Sequence, residues 1–590
     1  MLYKSTRGGE QDVSFLQAVL RGLSADGGLF VPQMNLPATI DKDFVLEKWG
    51  HLSYAQLAFK VLRLFIGEDE FDDATLKDLC DRSYGGVRWR SGSEIVQREA
   101  LDHITLLELF HGPTFAFKDC ALQFLGNLFE VALAKRTHAA GAKKAAKSAV
   151  ILGATSGDTG SAALAGVSGK QGVSGVVLYP QNRVSYIQEL QMLSFNTIQT
   201  GATDDGKNAG APPVAQNVVH ACSVQDATFD DCQAIVKAIF QQKDFVEQNN
   251  VLAVNSINIA RVLCQMVYYL YCYFRHNEKI LEQRRNLGAN LARTNLRLPK
   301  MRFSVPTGNF GDILAGYYCQ KFFRLDDIFE LVIASNENDI LTRFFETGAY
   351  TPAKSVKATL SPSMDIQVSS NFERFLLDVA GGDCAKVAAW FADLKNKKSF
   401  EVSPVELQQA RKYFTAWCVD ETETLETIAD VHADFGYLLC PHTAVGYKAM
   451  LKDLQHRGGD IQPVVLATAH YGKFVGTMSP KIVAGSDKIT EPEKLKAALK
   501  TQMPRELAEL ETRDKALLQK TIPLRKDTNL VQQYVTDVVN RGILMNAPLA
   551  TRAGAEDKFS MDSTYNDPTK TLLGKLNAIA TAVCGPVCCK

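Results

Sequence analysis

The sequence predicts an α/β protein of several domains, with largely parallel sheets flanked by helices, a mixed N-terminal α/β segment and a helical C-terminal appendage. Three observations predict it. The chain has 590 residues, enough for three or four units with cores of their own. Hydrophobic residues at 46% and charged residues at 22% are ordinary globular values. Its middle repeats one rhythm: a short β-branched or apolar run, a loop of Gly, Ser, Asn or Asp, then a helical pattern.

Residues 1–96 form the N-terminal segment, with helical patches VSFLQAVLRGL and YAQLAFKVLRLFIG and an Asp-Gly-Gly turn in SADGGLFVP that leads into a short strand. Residues 97–480 carry the strand–loop–helix rhythm: SAVILGAT before SGDTG, MRFSVPT before GNFGD, ELVIAS before NEND, and VVLATAH near residue 470. In such sheets ligands bind at the carboxyl ends of the strands, where these loops lie. Two stretches read as insertions, a Gly/Pro/Asp-rich surface loop from Gly201 and a polar, basic, solvated helix–loop excursion from His276. Residues 481–590 read as surface helices that end in a disordered tail.

Composition excludes several classes. With 65 basic and 65 acidic side chains the formal net charge is +0, which gives no electrostatic case for nucleic acid or an anionic membrane as partner. No apolar run is long enough to span a bilayer, and the N-terminus has no signal-peptide core, so a cytoplasmic protein is expected. The 13 cysteines are mostly scattered through apolar stretches and read as reduced thiols. Cys584, Cys588 and Cys589 lack a zinc spacing and a nearby histidine, so no metal is expected.

The chemistry is carried by HGPTFAFKDCALQFLG, residues 111–126, where Lys118 lies in an otherwise apolar run. One reading is a lysine that snorkels from a helix start. The other is a desolvated amine that forms a Schiff base with a carbonyl group. TGNFGD places Gly308 and Gly311 between a strand and a helix, where backbone N–H groups and the helix dipole suit a phosphate. ATSGDTGSAA repeats that design with the hydroxyls of Ser156, Thr159 and Ser161. It lacks the Gly-Lys-Ser/Thr ending of a nucleotide loop and the spacing of a dinucleotide fingerprint. Arg183, in YPQNRVSY, is available to an anion. A Schiff-base lysine with two anion-binding helix starts is what pyridoxal 5'-phosphate and an amino-acid substrate require.

In order along the chain, STRG with GLSADGGLFVP, HGPTFAFKD, ATSGDTGSAA, TFDDCQ, AVNSINIARVL, PTGNFGDILAGY, ASNENDIL, PHTAVGYKA and ATAHYGKF resemble the threonine synthase family of the fungal and enterobacterial type, pyridoxal-phosphate enzymes of the tryptophan-synthase-β fold group. The resemblance implies that residues 97–480 are a catalytic core of two α/β lobes with the cofactor between them. It implies that Lys118 is the Schiff-base lysine and that Gly308, Asn309, Phe310 and Asp312 belong to the loop that cradles the cofactor phosphate. It places Thr468 beside the pyridine nitrogen and Ser156, Gly157, Asp158 and Thr159 opposite the substrate carboxylate. Arg183, Asn338 and Lys473 are candidates for the substrate phosphate, and Asn338 or Asp339 suits the cap of the ILTRFFE helix. The family commonly has Pro-Ala after the ATAH histidine; this chain has Tyr471 and Gly472, which leaves the course of that loop open.

The reaction implied is the conversion of O-phosphohomoserine and water to L-threonine and phosphate, by γ-elimination and β-addition of water, in a monomer or a homodimer. Lys118 is the natural proton shuttle. The alternatives are a phospho-lyase on the same scaffold, which releases phosphate and ammonia to give a 2-oxo acid, and a non-catalytic ligand-binding homologue.

Overall fold

The computed structural model describes residues 1–33, 40–86, 88–90, 92, 94–139, 148–197, 217–287, 297–484, 489 and 492–546. The loop from Gly201 to Gln216 and the three C-terminal cysteines lie outside the described residues. The chain divides into two compact units. The first comprises Met1–Leu125, Ser185–Ile187 and Asn255–Glu509, and the second comprises Gly126–Val184, Gln188–Val254 and the chain from Leu510. The expected boundaries at residues 96 and 480 do not coincide with this division.

The first unit is built on a six-stranded sheet in the order Phe414–Cys418, Phe329–Ser335, Met301–Pro306, Gln462–Ala467, Ile104–Glu108, Gln97–Leu101. All neighbours are parallel except the hairpin of the last two. Met301–Pro306 and nearly all of Gln462–Ala467 are buried on both faces, which their continuous apolar sequences require. From Met301–Pro306 the chain runs to one side through Phe329–Ser335 and Phe414–Cys418, then returns to lay Gln462–Ala467 on the other side. That reversal leaves the carboxyl end of Met301–Pro306 at a switch point, where open α/β sheets bind ligands.

A small antiparallel sheet joins Leu2–Ser5 to Val13–Ser14 and Phe30–Pro32. The Asp-Gly-Gly turn forms as expected: Gly27 has φ 76° and the Asp26 carboxylate accepts from Gly28 N at 2.9 Å. Thr6 Oγ1 and the Arg7 guanidinium bind the buried Glu373 at 2.6 and 2.8 Å, tying the STRG motif to helix Phe372–Val379.

The second unit holds a five-stranded parallel sheet in the order Ile522–Leu524, Val219–Val224, Val173–Pro180, Ala149–Ala154, Val251–Ala253. Its outermost strand and helix Thr528–Asn546 come from the expected helical appendage. Leu524, Val531, Val535 and Val538 are buried in the core of this sheet, so that part of the chain is not a surface addition. The basic excursion from His276 forms the expected helix but is not solvated throughout. Over Glu278–Leu287 it is a helix with Leu281 buried, and Arg284 pairs with Asp43 at 3.0 Å. Among the described residues no helix is long and apolar enough to cross a membrane, and no group of His, Cys, Asp and Glu could hold a metal ion.

Candidate active site

Four adjacent parallel strands of the six-stranded sheet end in the loops that the sequence singled out. Phe329–Ser335 leads to Asn336–Asp339, Met301–Pro306 to Thr307–Gly311, Gln462–Ala467 to Thr468–His470, and Ile104–Glu108 to the segment ending at Lys118. The fold thus collects residues more than 300 positions apart on one sheet edge.

The lysine segment is held by backbone pairing. Phe117 N donates to Thr468 O at 2.8 Å, His470 N donates to Phe115 O at 3.1 Å, and Ala116 and Ala469 form an antiparallel bridge. Helix Asp119–Ala139 starts directly after Lys118. The Asp119 carboxylate folds back to accept from Thr114 N and Thr114 Oγ1, both at 2.8 Å. A Cβ on Gly112 would lie 2.5 Å from Asp119 Cβ, so this close approach requires glycine. Burial pushes Asp119 up to about 6, against the pull of the two Thr114 donors and the charges of Lys473 and Arg90. Lys118 itself is buried, with Nζ 4.6 Å from the centroid of the Phe117 ring.

The Thr307–Gly311 loop is strained and braced. Phe310 has φ 63°, a left-handed conformation that costs a non-glycine residue about 1 to 3 kcal/mol. Its ring is locked among Phe372, Phe375 and Phe414, with centroids 5.0 to 6.0 Å away. Ser369 Oγ donates to Gly308 O at 2.7 Å, Asn371 N to Asn309 O at 3.0 Å, and Ser370 Oγ to Asn309 Oδ1 at 3.0 Å. A Cβ on Gly308 would meet Ser363 O at 2.9 Å. Helix Gly311–Phe323 begins here with no side chain capping it, so its first N–H groups and its dipole are directed at this loop.

Asp312 lies in the first turn of that helix, but its carboxylate turns away from a phosphate-binding role. Oδ1 accepts from the hydroxyls of Tyr268 and Tyr269, the latter at 3.0 Å, and Oδ2 is buried with no hydrogen-bond partner. Burial pushes Asp312 up to about 6, while the two hydroxyls and the charge of Lys118 act to lower it. A carboxylate has no proton to offer a phosphate, so it is the Asp312 backbone N–H that suits the cradle.

Thr468 is buried at the end of its strand. The open question of Tyr471 and Gly472 has a local answer: Gly472 N donates to His470 Nδ1 at 3.1 Å, and the pairing of Thr468 O with Phe117 N ties the loop to the lysine segment. Burial lowers His470 to about 4, so its ring is neutral near pH 7.

The candidates for the substrate phosphate are differently placed. Asn338 Nδ2 donates to Lys357 O at 3.0 Å and Asp365 Oδ1 at 3.1 Å, and its Oδ1 accepts from Lys357 N at 2.9 Å and Gln367 Nε2 at 3.1 Å. That amide is fully occupied in ordering the 357–367 segment. Asp339 stands at the N-cap position of helix Ile340–Thr347, but neither its side chain nor that of Asn338 bonds the helix's first N–H groups; the Asp339 carboxylate instead accepts from Arg343 Nε at 2.8 Å. Lys473 is fully buried and its Nζ donates to Thr114 O at 2.8 Å, bracing the lysine segment.

Ser156–Thr159 and Arg183 belong to the second unit, at the carboxyl ends of Ala149–Ala154 and Val173–Pro180. Helix Asp158–Val167 starts without a side-chain cap at Gly157, whose φ is 134°. Thr155 Oγ1 accepts from Gly157 N at 2.9 Å and Gly160 N at 2.8 Å, and Gln188 Nε2 donates to the buried Asp158 at 2.8 Å. Ser156 and Thr159 are half-buried and Arg183 is exposed.

Comparison with known proteins gives the chain a family. Residues 2–84 match the family described as "Threonine synthase N terminus" and residues 443–535 the family described as "Threonine synthase, C-terminal". Threonine synthase of Saccharomyces cerevisiae is 41% identical over 553 residues, covering 91% of this chain and 98% of its own. The chain belongs to the threonine synthase family. The solved structure of threonine synthase from yeast is similar with a TM-score of 0.72 and 38% identity, covering 92% of this chain and 99% of its own. That of pyridoxal-phosphate-bound threonine synthase from Brucella melitensis has a TM-score of 0.69 and 34% identity, covering 91% and 99%.

Sequence reasoning within this threonine synthase-family chain overlooked Asp119, Asn371, Tyr268 and Tyr269. Asp119 carried a signal, since an acid beside a lysine in an apolar run must find donors of its own. The tyrosines lie in the buried helix Ile259–His276, where only the fold brings them to Asp312.

Proposed function

We propose that the protein converts O-phosphohomoserine and water to L-threonine and phosphate with pyridoxal 5'-phosphate as cofactor. The observation that carries this reading is the juxtaposition on one sheet edge of a buried lysine, a buried threonine hydroxyl and an uncapped helix start. These fit the cofactor group by group. An amine can bond its aldehyde, the N–H groups of Gly308–Asp312 can hold its phosphate dianion, and Thr468 Oγ1 can face its pyridine nitrogen. A hydroxyl there, in place of a carboxylate, would leave that nitrogen largely unprotonated. The orphaned Asp312 Oδ2 and the strained Phe310 mark the same spot as one organised for more than packing.

The cofactor, when bound, supplies an electron sink conjugated to the substrate's α carbon. The protein's part is placement and proton transfer. Lys118 Nζ would take the α proton and return it, because it is the buried amine at the sheet edge where the cofactor's aldehyde and the substrate's α carbon would lie. Its buried setting excludes bulk water, and the Asp312 carboxylate offsets the positive charge the amine gains with each proton. The helix start at Ser156, Gly157, Asp158 and Thr159 offers N–H groups and hydroxyls suited to the substrate carboxylate, and the Arg183 guanidinium suits a phosphate. Lys473 and Asn338 are assigned bracing roles.

The test is to incubate purified protein with O-phosphohomoserine and quantify threonine, phosphate and 2-oxo acid together. Threonine in step with phosphate is the expected result. Phosphate with 2-oxo acid and no threonine would make the protein a phospho-lyase, and no product with no visible imine band would make it a binding protein.

A further inference from the structure

The C-terminal chain as far as Glu509 belongs to the first unit. Within it, Ile489, Leu495 and Leu499 share one apolar core with Ala116, Ala469, Tyr471 and Phe474, and Met503 packs against it. These partners flank the loops that carry Lys118 and Thr468. Gly472 is part of the fit. A Cβ there would meet Leu507 Cδ1 at 3.0 Å and Met503 Cγ at 3.4 Å, so the lack of a side chain at this position lets the C-terminal segment lie close.

One step further along, Glu506 Oε1 accepts from Arg90 Nε at 3.0 Å. Arg90 in turn grips the lysine segment. Its guanidinium donates to Gly112 O and, at 3.4 Å, to Pro113 O, and its Cζ lies 3.3 Å from the centroid of the Phe115 ring. Arg90 N also donates to His111 O at 2.9 Å. Phe115 is the strained residue of this segment, with φ 56°, so something outside it must hold it there. A guanidinium can cover a ring and reach two carbonyls at once; an ammonium cannot.

We propose that Arg90, oriented by Glu506 of the C-terminal segment, is a positioning residue for Lys118. It acts by fixing His111–Phe115, three residues ahead of the lysine, and this role rests on the assignment of Lys118 made above. The C-terminal segment is then part of the machinery that aims the amine. The Arg90–Glu506 pair is too solvent-exposed to matter much to global stability, with side chains 27% and 55% accessible.

The experiment uses the full chain with Arg90→Met, Arg90→Lys and Glu506→Gln, in two arms. The first is hydrogen exchange of the cofactor-free protein, read on peptides that cover residues 109–118. Arg90→Met is expected to speed exchange at the Thr114 and Phe117 amides about tenfold with the rest of the chain unchanged, Arg90→Lys to restore little, and Glu506→Gln to give a smaller local increase. The second arm is threonine formation by the cofactor-loaded protein, where Arg90→Met lowers kcat about tenfold and leaves KM within about twofold. Exchange within about twofold of wild type in both Arg90→Met and Glu506→Gln overturns the proposal. So does faster exchange spread evenly over the chain, which would make Arg90 a general stabiliser. If Arg90→Met does not fold, Glu506→Gln decides alone. A wild-type protein that forms no threonine defeats the functional reading while the exchange arm still tests the grip on the segment.

Discussion

Replacing Asp312 by asparagine should cost activity without costing stability. The Asp312 carboxyl is raised from 3.8 to about 6, with burial the leading cause. A folded-state pKa above the unfolded one means that the folded protein holds the proton more tightly between those two values. Stability is therefore lost as pH rises from about 4 to about 6, and the loss is complete above that range. At about 1.36 kcal/mol per unit, keeping Asp312 ionised costs about 3 kcal/mol near pH 8. The amide introduced by Asp312→Asn carries no charge, and its oxygen can still accept from Tyr268 and Tyr269. Its nitrogen would take the place of the orphaned Oδ2 and add an unpartnered buried donor, at about 1 to 3 kcal/mol. The net expectation is a change between about 0 and 2 kcal/mol in favour of the variant at pH 8, with kcat for threonine formation reduced at least tenfold. The assay is urea unfolding of both cofactor-free proteins at pH 4, 6 and 8, beside steady-state kinetics. A variant destabilised by more than about 2 kcal/mol at pH 8, with the wild-type slope between pH 4 and 6 intact, would refute the reasoning.

Lys118→Ala should fold normally and lose turnover by about a thousandfold or more, together with the visible imine band; near-full activity would remove Lys118 from the mechanism. Gly308→Ala would put a Cβ 2.9 Å from Ser363 O and 3.0 Å from Met364 Cα, displacing the loop. Equilibrium titration should show pyridoxal phosphate binding about tenfold or more weakly, a loss of about 1.4 kcal/mol. His470 has a folded-state pKa near 4 against 6.5, so it binds protons less readily when folded and its share of stability is lost as pH falls below about 6.5. His470→Gln should flatten that part of the stability profile, and the pH dependence of kcat should show no limb from His470 between pH 6 and 9.

The loops of this protein were legible in the sequence because their chemistry is local. A glycine beside a strand end, hydroxyls at a helix start and a lysine among apolar residues each impose a requirement within a few positions. The parallel sheet was legible for the same reason, since strands buried on both faces must be continuously apolar. Even so, locality misled at Asn338 and Asp339, where side chains suited to a cap are used instead to order a neighbouring segment and to bind Arg343. It also misled after residue 481, where charged amphipathic helices look solvated although one face of each is needed to complete a core.

What the sequence by itself determined is the inventory: an α/β chain, a lysine for a carbonyl, helix starts for anions, and membership of a family. Only the tertiary structure decided how these are used. Strand order places Lys118, Gly308 and Thr468 on one edge, although the chain between them is long, because parallel pairing is set by which apolar faces bury together. Burial decided that Asp119, Asp312 and His470 titrate far from their ordinary ranges, since a charge costs what its surroundings make it cost. Packing decided that Arg90 reaches the lysine segment and that Glu506 reaches Arg90, contacts that bridge 416 positions and leave no trace in local pattern.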